Sequence, residues 1–497
     1  MLFNSLHFLA FLPVVLALYF ATPNRWKWVL LLTASYYFYA AWRVEYLVLI
    51  MASTGVDYVA GIRMGKHESR RGRRPWLIVS LFTNLGLLFS FKYLNFASES
   101  LQAAFDQFNV FYGIPTFDVL LPVGISFYTF QTLSYTIDVY RGRQEPERHL
   151  GILALYVSFF PQLVAGPIER STRLLPQFFR EHGFDLERAK SGARLMLWGF
   201  FKKVVIADRL AAYVNPVYAD PTAHSSATLL VATYFFAFQI YCDFSGYSDI
   251  AIGTARIMGY DLMENFRRPY FARSIREFWG RWHISLSTWF RDYVYIPLGG
   301  NRVPRLRWYV NLMIVFVVSG LWHGAAWTFI LWGALHGGYL VFALVTSHQR
   351  DRIWASVKAL SPSQVLPGFR ASWLPHPSID AIRSGLAVFT TFHLVLFAWI
   401  FFRAETIREA WVVIANIVRW EPSTQALSAP AGLWQFRLAL VAVGVLLVAE
   451  VVEGRWGGAE RLLRLPVPVR WMLYWATFFA ILGFGVVGGD DFIYFQF

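Results

Sequence analysis

Apolar runs about as long as a bilayer core recur along the whole chain, near residues 5–21, 26–42, 44–62, 76–92, 120–140, 227–258, 308–345, 385–402, 434–452 and 471–488. Each approaches the ~20 residues a helix needs to cross the hydrocarbon, and the two longest have room for two helices each. The pattern predicts an all-α, polytopic membrane protein. The polar intervals set its orientation. Arg63, Lys66, Arg70, Arg71, Arg73 and Arg74 crowd one short loop, a cytoplasmic marker under the positive-inside rule. Counting back three crossings places the N-terminus outside, and counting forward two returns Arg141, Arg143 and Arg148 to the inside. No Lys or Arg precedes the first run, whereas Arg25 and Lys27 follow it. That is the order of an uncleaved anchor, not of a signal peptide.

Two intervals depart from the up-and-down pattern. If 152–169 crossed, the basic stretch from Arg170 through Lys202, Lys203 and Arg209 would lie outside. The segment carries Pro161, Gly166 and Pro167 and reads as re-entrant or broken, a backbone tolerated at membrane depth only when buried in protein or lining a cavity. Residues 265–300 are aromatic, Arg-rich and amphipathic, which predicts helices along the cytoplasmic interface or dipping toward a cavity. The last basic loop (Arg455, Arg461, Arg464, Arg470) precedes the final span, so the acidic-aromatic tail 488–497 is expected outside. No internal repeat, low-complexity tract or soluble module stands out. One membrane domain over 1–497 is expected, with its motif-bearing core at about 120–345.

Composition agrees. Hydrophobic residues make up 56% of the 497, aromatics 19% and charged residues 15%, against about 25% charged in an ordinary soluble domain. The net charge of +14 is not a nucleic-acid signal, because the cations fall in short loops between apolar runs. The single cysteine, Cys242, excludes an intrachain disulfide, and no metal-spaced His/Cys set is present.

Chemistry is sought where polar groups are costly. His323, in Leu321-Trp322-His323-Gly324-Ala325-Ala326-Trp327, interrupts an apolar stretch; ionisable groups at membrane depth face a cavity or a partner, and imidazole is suited to take a proton near neutral pH. A histidine donating to a backbone carbonyl is the alternative. His283, in Arg281-Trp282-His283-Ile284-Ser285, reads first as an interfacial histidine. His336 lies thirteen residues after His323, on a different face of one continuous helix, and is expected to serve packing. Asp243 and Asp249 are read as fixing a broken helix, with ion or proton coupling as the rival. Arg276, Arg281 and Arg291 could meet donor phosphates or anchor at headgroups.

Taken together, Pro-Val-Gly-Ile-Ser-Phe-Tyr-Thr-Phe (122–130), Ala-Gly-Pro-Ile (165–168), Asp-Phe-Ser-Gly-Tyr-Ser-Asp (243–249), Phe-Trp-Gly-Arg-Trp-His-Ile-Ser-Leu-Ser-Thr-Trp-Phe-Arg-Asp-Tyr (278–293), Leu-Gly-Gly-Asn-Arg (298–302) and Leu-Trp-His-Gly (321–324) resemble the membrane-bound O-acyltransferases of the bacterial polysaccharide branch. The resemblance implies a ring of helices with re-entrant and interfacial pieces around a central tunnel. His323 matches the family's invariant histidine and His283 the second histidine of this branch, so both are carried over as catalytic candidates. It further implies no tightly bound cofactor and no metal, acetyl-CoA as the acyl donor, an exported polysaccharide such as alginate or acetylated cellulose as acceptor, a periplasmic transferase partner of the SGNH type, and residence in a bacterial inner membrane. The tail Phe492-Ile493-Tyr494-Phe495-Gln496-Phe497 resembles an aromatic motif of this branch whose tyrosine is proposed to relay the acyl group, which makes Tyr494 a candidate relay; an aromatic belt at the outer interface is the alternative. Two other cargoes fit the same fold, peptidoglycan acetylation and D-alanylation of teichoic acid. A polysaccharide export transporter, the rival from another class, predicts paired repeats.

Overall fold

A computed structural model describes the chain except for residues 109–121, 123, 165, 360–378, 422–425, 458–461, 487–491 and 494–497. Among the described residues every regular element is helical, and eight helices are long and apolar enough to cross a membrane. Leu6–Ala21, Asn24–Ala40 and Ile125–Arg141 are shorter. Of the two long apolar runs, 227–258 is one helix, Ser226–Met258, while 308–345 is two, Arg305–His323 and Trp327–Val345. The chain forms two compact units. The first comprises Met1–Ala219, Phe235–Glu264 and Thr424–Phe497; the second comprises Asp220–Tyr234 and Asn265–Ser423.

In the first unit, polar side chains join helices that the hydrophobic effect alone would not pair in lipid. Ser80 and Asn84 donate to the carboxylate of Asp57 at 2.6 and 3.0 Å, while Ser53 and Thr132 donate to Asn84 Oδ1 at 2.6 and 3.2 Å. Glu45–Gly65, Arg70–Leu88 and Ile125–Arg141 meet there, so the rather polar Ile125–Arg141 is buried almost all round. Small residues do the same for Leu186–Phe200 against Ser226–Met258. A Cβ at Gly192 would lie 2.6 Å from the carbonyl oxygen of Gly253, and one at Gly199 2.7 Å from that of Gly246, so the two backbones touch. The 152–169 segment is broken as expected, into Leu150–Ser158 and Phe160–Leu163.

Two sequence expectations fail in this unit. Ser226–Met258 is unbroken, so Asp243 and Asp249 do not fix a helix break. They neutralise buried lysines instead: Lys203 meets Asp243 at 2.7 Å and Asp208 at 2.8 Å, and Lys202 meets Asp249 at 2.7 Å. Lys202 and Lys203, counted above among loop cations, are 4% and 1% exposed. An apolar window hides such a pair because the two charges lie on different helices.

In the second unit, Arg305–His323 and Trp327–Val345 form a tight hairpin. A Cβ at Gly320 would stand 2.2 Å from the carbonyl oxygen of Phe329, and one at Gly333 the same distance from that of Phe316. Ile379–Arg403 packs on the hairpin. Residues 265–300 fold as short helices, Ile275–Trp279 and Ile284–Phe290, the first capped by Ser274. Their aromatic side chains are largely buried, so this segment belongs to the unit's core more than to an interface.

A candidate active site around two histidines

His323 is the last residue of Arg305–His323, and Gly324 leaves the helix with an extended backbone. No side chain fits at 324, where a Cβ would fall 2.1 Å from the ring of Phe329. The helix break therefore places the imidazole, 3% exposed, inside the unit. Aromatic rings wall it in: Trp322 at 4.9 Å, Trp332 at 5.0 Å and Phe402 at 5.4 Å between centroids, each edge-on. His283 completes the wall at 6.4 Å. The two histidines picked out in sequence are thus brought together.

His283 is fully buried, not interfacial, and sits at φ 42° as the residue before Ile284–Phe290, a left-handed conformation that is uncommon without glycine. Asn265 holds it. The backbone N–H of Ser285 donates to Asn265 Oδ1 at 3.2 Å and Ser285 Oγ donates at 2.9 Å. That amide oxygen is therefore an acceptor, and His283 Nδ1, also 3.2 Å from it, carries the hydrogen. A partner on one ring nitrogen settles the role of the other, leaving Nε2 as the basic nitrogen. Burial pushes the imidazole well below its ordinary pKa, so His283 is neutral at physiological pH.

His336 overturns the continuous-helix argument. Because the chain folds back at Gly324, His336 reaches the same aromatic cluster: its ring lies 5.0 Å from Trp332, the ring that also touches His323. Trp279 Nε1–H donates to His336 Nδ1 at 3.3 Å. Trp332, His336 and Asn265 were not singled out as site residues in sequence. Trp332 and His336 stand one turn apart in an apolar span, a signal that a heptad-scale reading could have caught; Asn265, eighteen residues before His283, left none.

The arginines divide. Arg281 pairs with Glu277 at 2.6 Å and Arg291 with Asp292 at 2.8 Å, which commits both to neighbouring carboxylates; Arg276 is exposed. Tyr494 lies outside the described residues. Among the described residues no three His, Cys, Asp or Glu side chains gather as metal ligands.

Comparison with known proteins bears on this arrangement. Residues 149–360, which include both histidines, match the membrane-bound O-acyltransferase family. A probable alginate O-acetylase of Azotobacter vinelandii is 41% identical over 462 residues, 92% of this chain and 85% of that protein. A peptidoglycan O-acetyltransferase of Helicobacter pylori is 35% identical over 84% of this chain and 80% of its own length. A teichoic acid D-alanyltransferase of Bacillus subtilis is 28% identical over 59% and 71%. Helical spans, a buried histidine pair in the matched segment and near-full-length similarity lead to one conclusion: the chain belongs to the membrane-bound O-acyltransferase family, and it is a multi-pass membrane O-acyltransferase.

Proposed function

We propose that this protein is an O-acetyltransferase component that takes acetyl groups from a cytoplasmic thioester, acetyl-CoA, and passes them toward an exported polysaccharide such as alginate or acetylated cellulose. The observation that carries the reading is the placement of His323: a buried imidazole at a helix break, boxed by rings, with neutral His283 as its neighbour. Similarity to a probable alginate O-acetylase over 92% of this chain and 85% of that protein supports the acetyl cargo and the polymer.

In the proposed step His323 takes the proton of an attacking hydroxyl. The hydroxyl oxygen bonds to the thioester carbonyl carbon, the C–S bond breaks, and the departing thiolate recovers the proton from the imidazolium. The products are an O-acetyl ester and a free thiol. General-base help of this kind contributes on the order of 10² to 10⁴ in rate. His283, with Nε2 as its basic nitrogen, positions the donor. Tyr494 is the proposed first acceptor: a phenol forms an aryl ester, a better leaving group than an alkyl ester, from which a periplasmic transferase partner would acetylate the polymer. In this reading the protein sits in a bacterial inner membrane with both termini outside.

The test uses purified full-length protein with acetyl-CoA and, in parallel, a D-alanyl carrier protein. Thiol release from acetyl-CoA that is lost in His323→Ala, in protein that still folds, is the expected result. Preference for the D-alanyl donor would transfer the reading to D-alanylation. Thiol release undiminished in His323→Ala would remove the proposed base. Mass spectrometry of the C-terminal peptide tests the relay, and a fully competent Tyr494→Phe variant would eliminate it.

A further inference from the structure

Trp327–Val345 carries three buried polar groups at a spacing of four. Thr328 Oγ1, Trp332 Nε1 and His336 Nε2 have no hydrogen-bond partner among the described residues, and the three residues are 1%, 0% and 0% exposed. Residues four apart share a helix face, so the three groups form a file roughly 12 Å long at 1.5 Å per residue. Buried polar atoms are nearly always satisfied. A lone orphan is an exception to that rule; three in register on one face mark a place prepared for a ligand.

The chemistry of two of them is settled by their neighbours. An indole N–H can only donate. Trp279 donates to His336 Nδ1, so the neutral imidazole of His336 carries its hydrogen on Nε2. The face therefore presents two N–H donors on adjacent turns, with Trp332 beside the ring of His323 and His336 beside Trp332. Among the described residues nothing accepts from either N–H, and what they lack is an acceptor. The acyl thioester of the proposed reaction has one, its carbonyl oxygen.

We propose that the N–H groups of Trp332 and His336 bind the carbonyl oxygen of the acyl thioester and stabilise the negative charge that forms on it. The inference deepens the assignment of His323 as the base and rests on it. When the hydroxyl oxygen bonds to the carbonyl carbon, the C=O π pair moves onto oxygen; the two donors strengthen their hydrogen bonds to it without giving up their protons. The pair returns as the C–S bond breaks. Donors fixed in a buried helical scaffold need no reorganisation as that charge develops, and removing one such donor from an oxyanion site typically costs about 10²- to 10³-fold in kcat. The hydroxyl of Thr328 continues the polar file one turn beyond Trp332.

The experiment compares wild type, Trp332→Phe, His336→Phe and His323→Ala in detergent, with acetyl-CoA and a D-alanyl carrier protein as the thioesters. The expected result is a roughly 10²-fold or greater loss of kcat in each of the first two variants, with KM for the thioester within about threefold of wild type, the split that marks an interaction made only in the transition state. A role in packing alone would lower the thermal midpoint and move KM and kcat together. An inactive His323→Ala beside a Trp332→Phe that keeps wild-type kcat overturns this inference and leaves the base assignment standing. A fully active His323→Ala, or a wild type that turns over neither thioester, overturns both.

Discussion

The backbone N–H of Ile493 donates to a carboxylate oxygen of Asp243 at 2.8 Å, joining positions 250 residues apart. The same carboxylate receives Lys203, and Phe492 packs on the ring of Tyr247 at 4.4 Å between centroids. The residue immediately before Tyr494 is thereby tied to the core of the first unit by a buried charge. Without Asp243, Lys203 keeps Asp208 as a counter-charge, and the buried N–H of Ile493 loses its acceptor, a loss that costs about 1–3 kcal/mol. Asp243→Ala is therefore expected to lower the thermal midpoint and to expose the C-terminal residues to protease, with Asp243→Asn intermediate because its amide oxygen can still accept from Ile493. Cleavage of the tail at the wild-type rate in Asp243→Ala would show that the contact does not hold it.

Gly320 and Gly333 let the two halves of the hairpin touch: a Cβ at either would lie 3.3 Å from the Cα of the other. A methyl group at either position points into a carbonyl oxygen that has no room to retreat. Gly320→Ala is expected to push Trp332 away from His323, reducing acyl transfer by tenfold or more, with the overpacking costing about 1–3 kcal/mol. Helix content by circular dichroism should stay at the wild-type level. A Gly320→Ala variant with normal turnover would mean that the hairpin contact does not position the site.

Asn265 fixes the tautomer of His283, so replacing it changes chemistry without touching the ring. Asn265→Ala should lower kcat by about tenfold, in line with the loss of an outer partner of a functional histidine. Asn265→Asp acts differently. A carboxylate against Nδ1 favours the imidazolium, raising a pKa that burial holds far below its ordinary value in the native protein. The acidic limb of the pH–rate profile should move to higher pH. An unshifted limb in Asn265→Asp would exclude a role for neutral His283 in the rate.

The spans were legible because lipid imposes a length and an apolar composition on any helix that crosses it. The break before 169 was legible for a related reason: proline and glycine at membrane depth require protein around them. What escaped was pairing across the fold. Lys202 and Lys203 look like loop cations until Asp249 and Asp243 appear beside them, and His336 looks displaced from His323 until the turn at Gly324 folds the helix back. His323 stood out as the lone imidazole of its apolar segment's motif, and His283 through the resemblance. Trp332 is one of 21 tryptophans, and its place beside the ring of His323 depends on the turn that folds Trp327–Val345 back onto Arg305–His323.

Glu169, just after the broken segment, gives stability a pH dependence of known sign. Its side chain is buried: one carboxylate oxygen accepts from the Met263 backbone N–H and the other has no partner among the described residues. Burial pushes its pKa up to about 7, against the opposing pull of Arg173 and Arg170, whereas an unfolded glutamate titrates near ~4.3. Between those values the folded state holds a proton that the unfolded state has released, so the contribution is full below ~4.3 and lost as pH rises through about 7. The slope approaches roughly 1.4 kcal/mol per pH unit at most. Glu169→Gln keeps the acceptor for Met263 and cannot ionise. Its thermal midpoint should match wild type near pH 5 and exceed it progressively toward pH 8, by an amount equivalent to about 1–3 kcal/mol. Parallel unfolding midpoints across that range would mean that the carboxyl is ionised throughout, with a cation or water supplying the partner its second oxygen lacks.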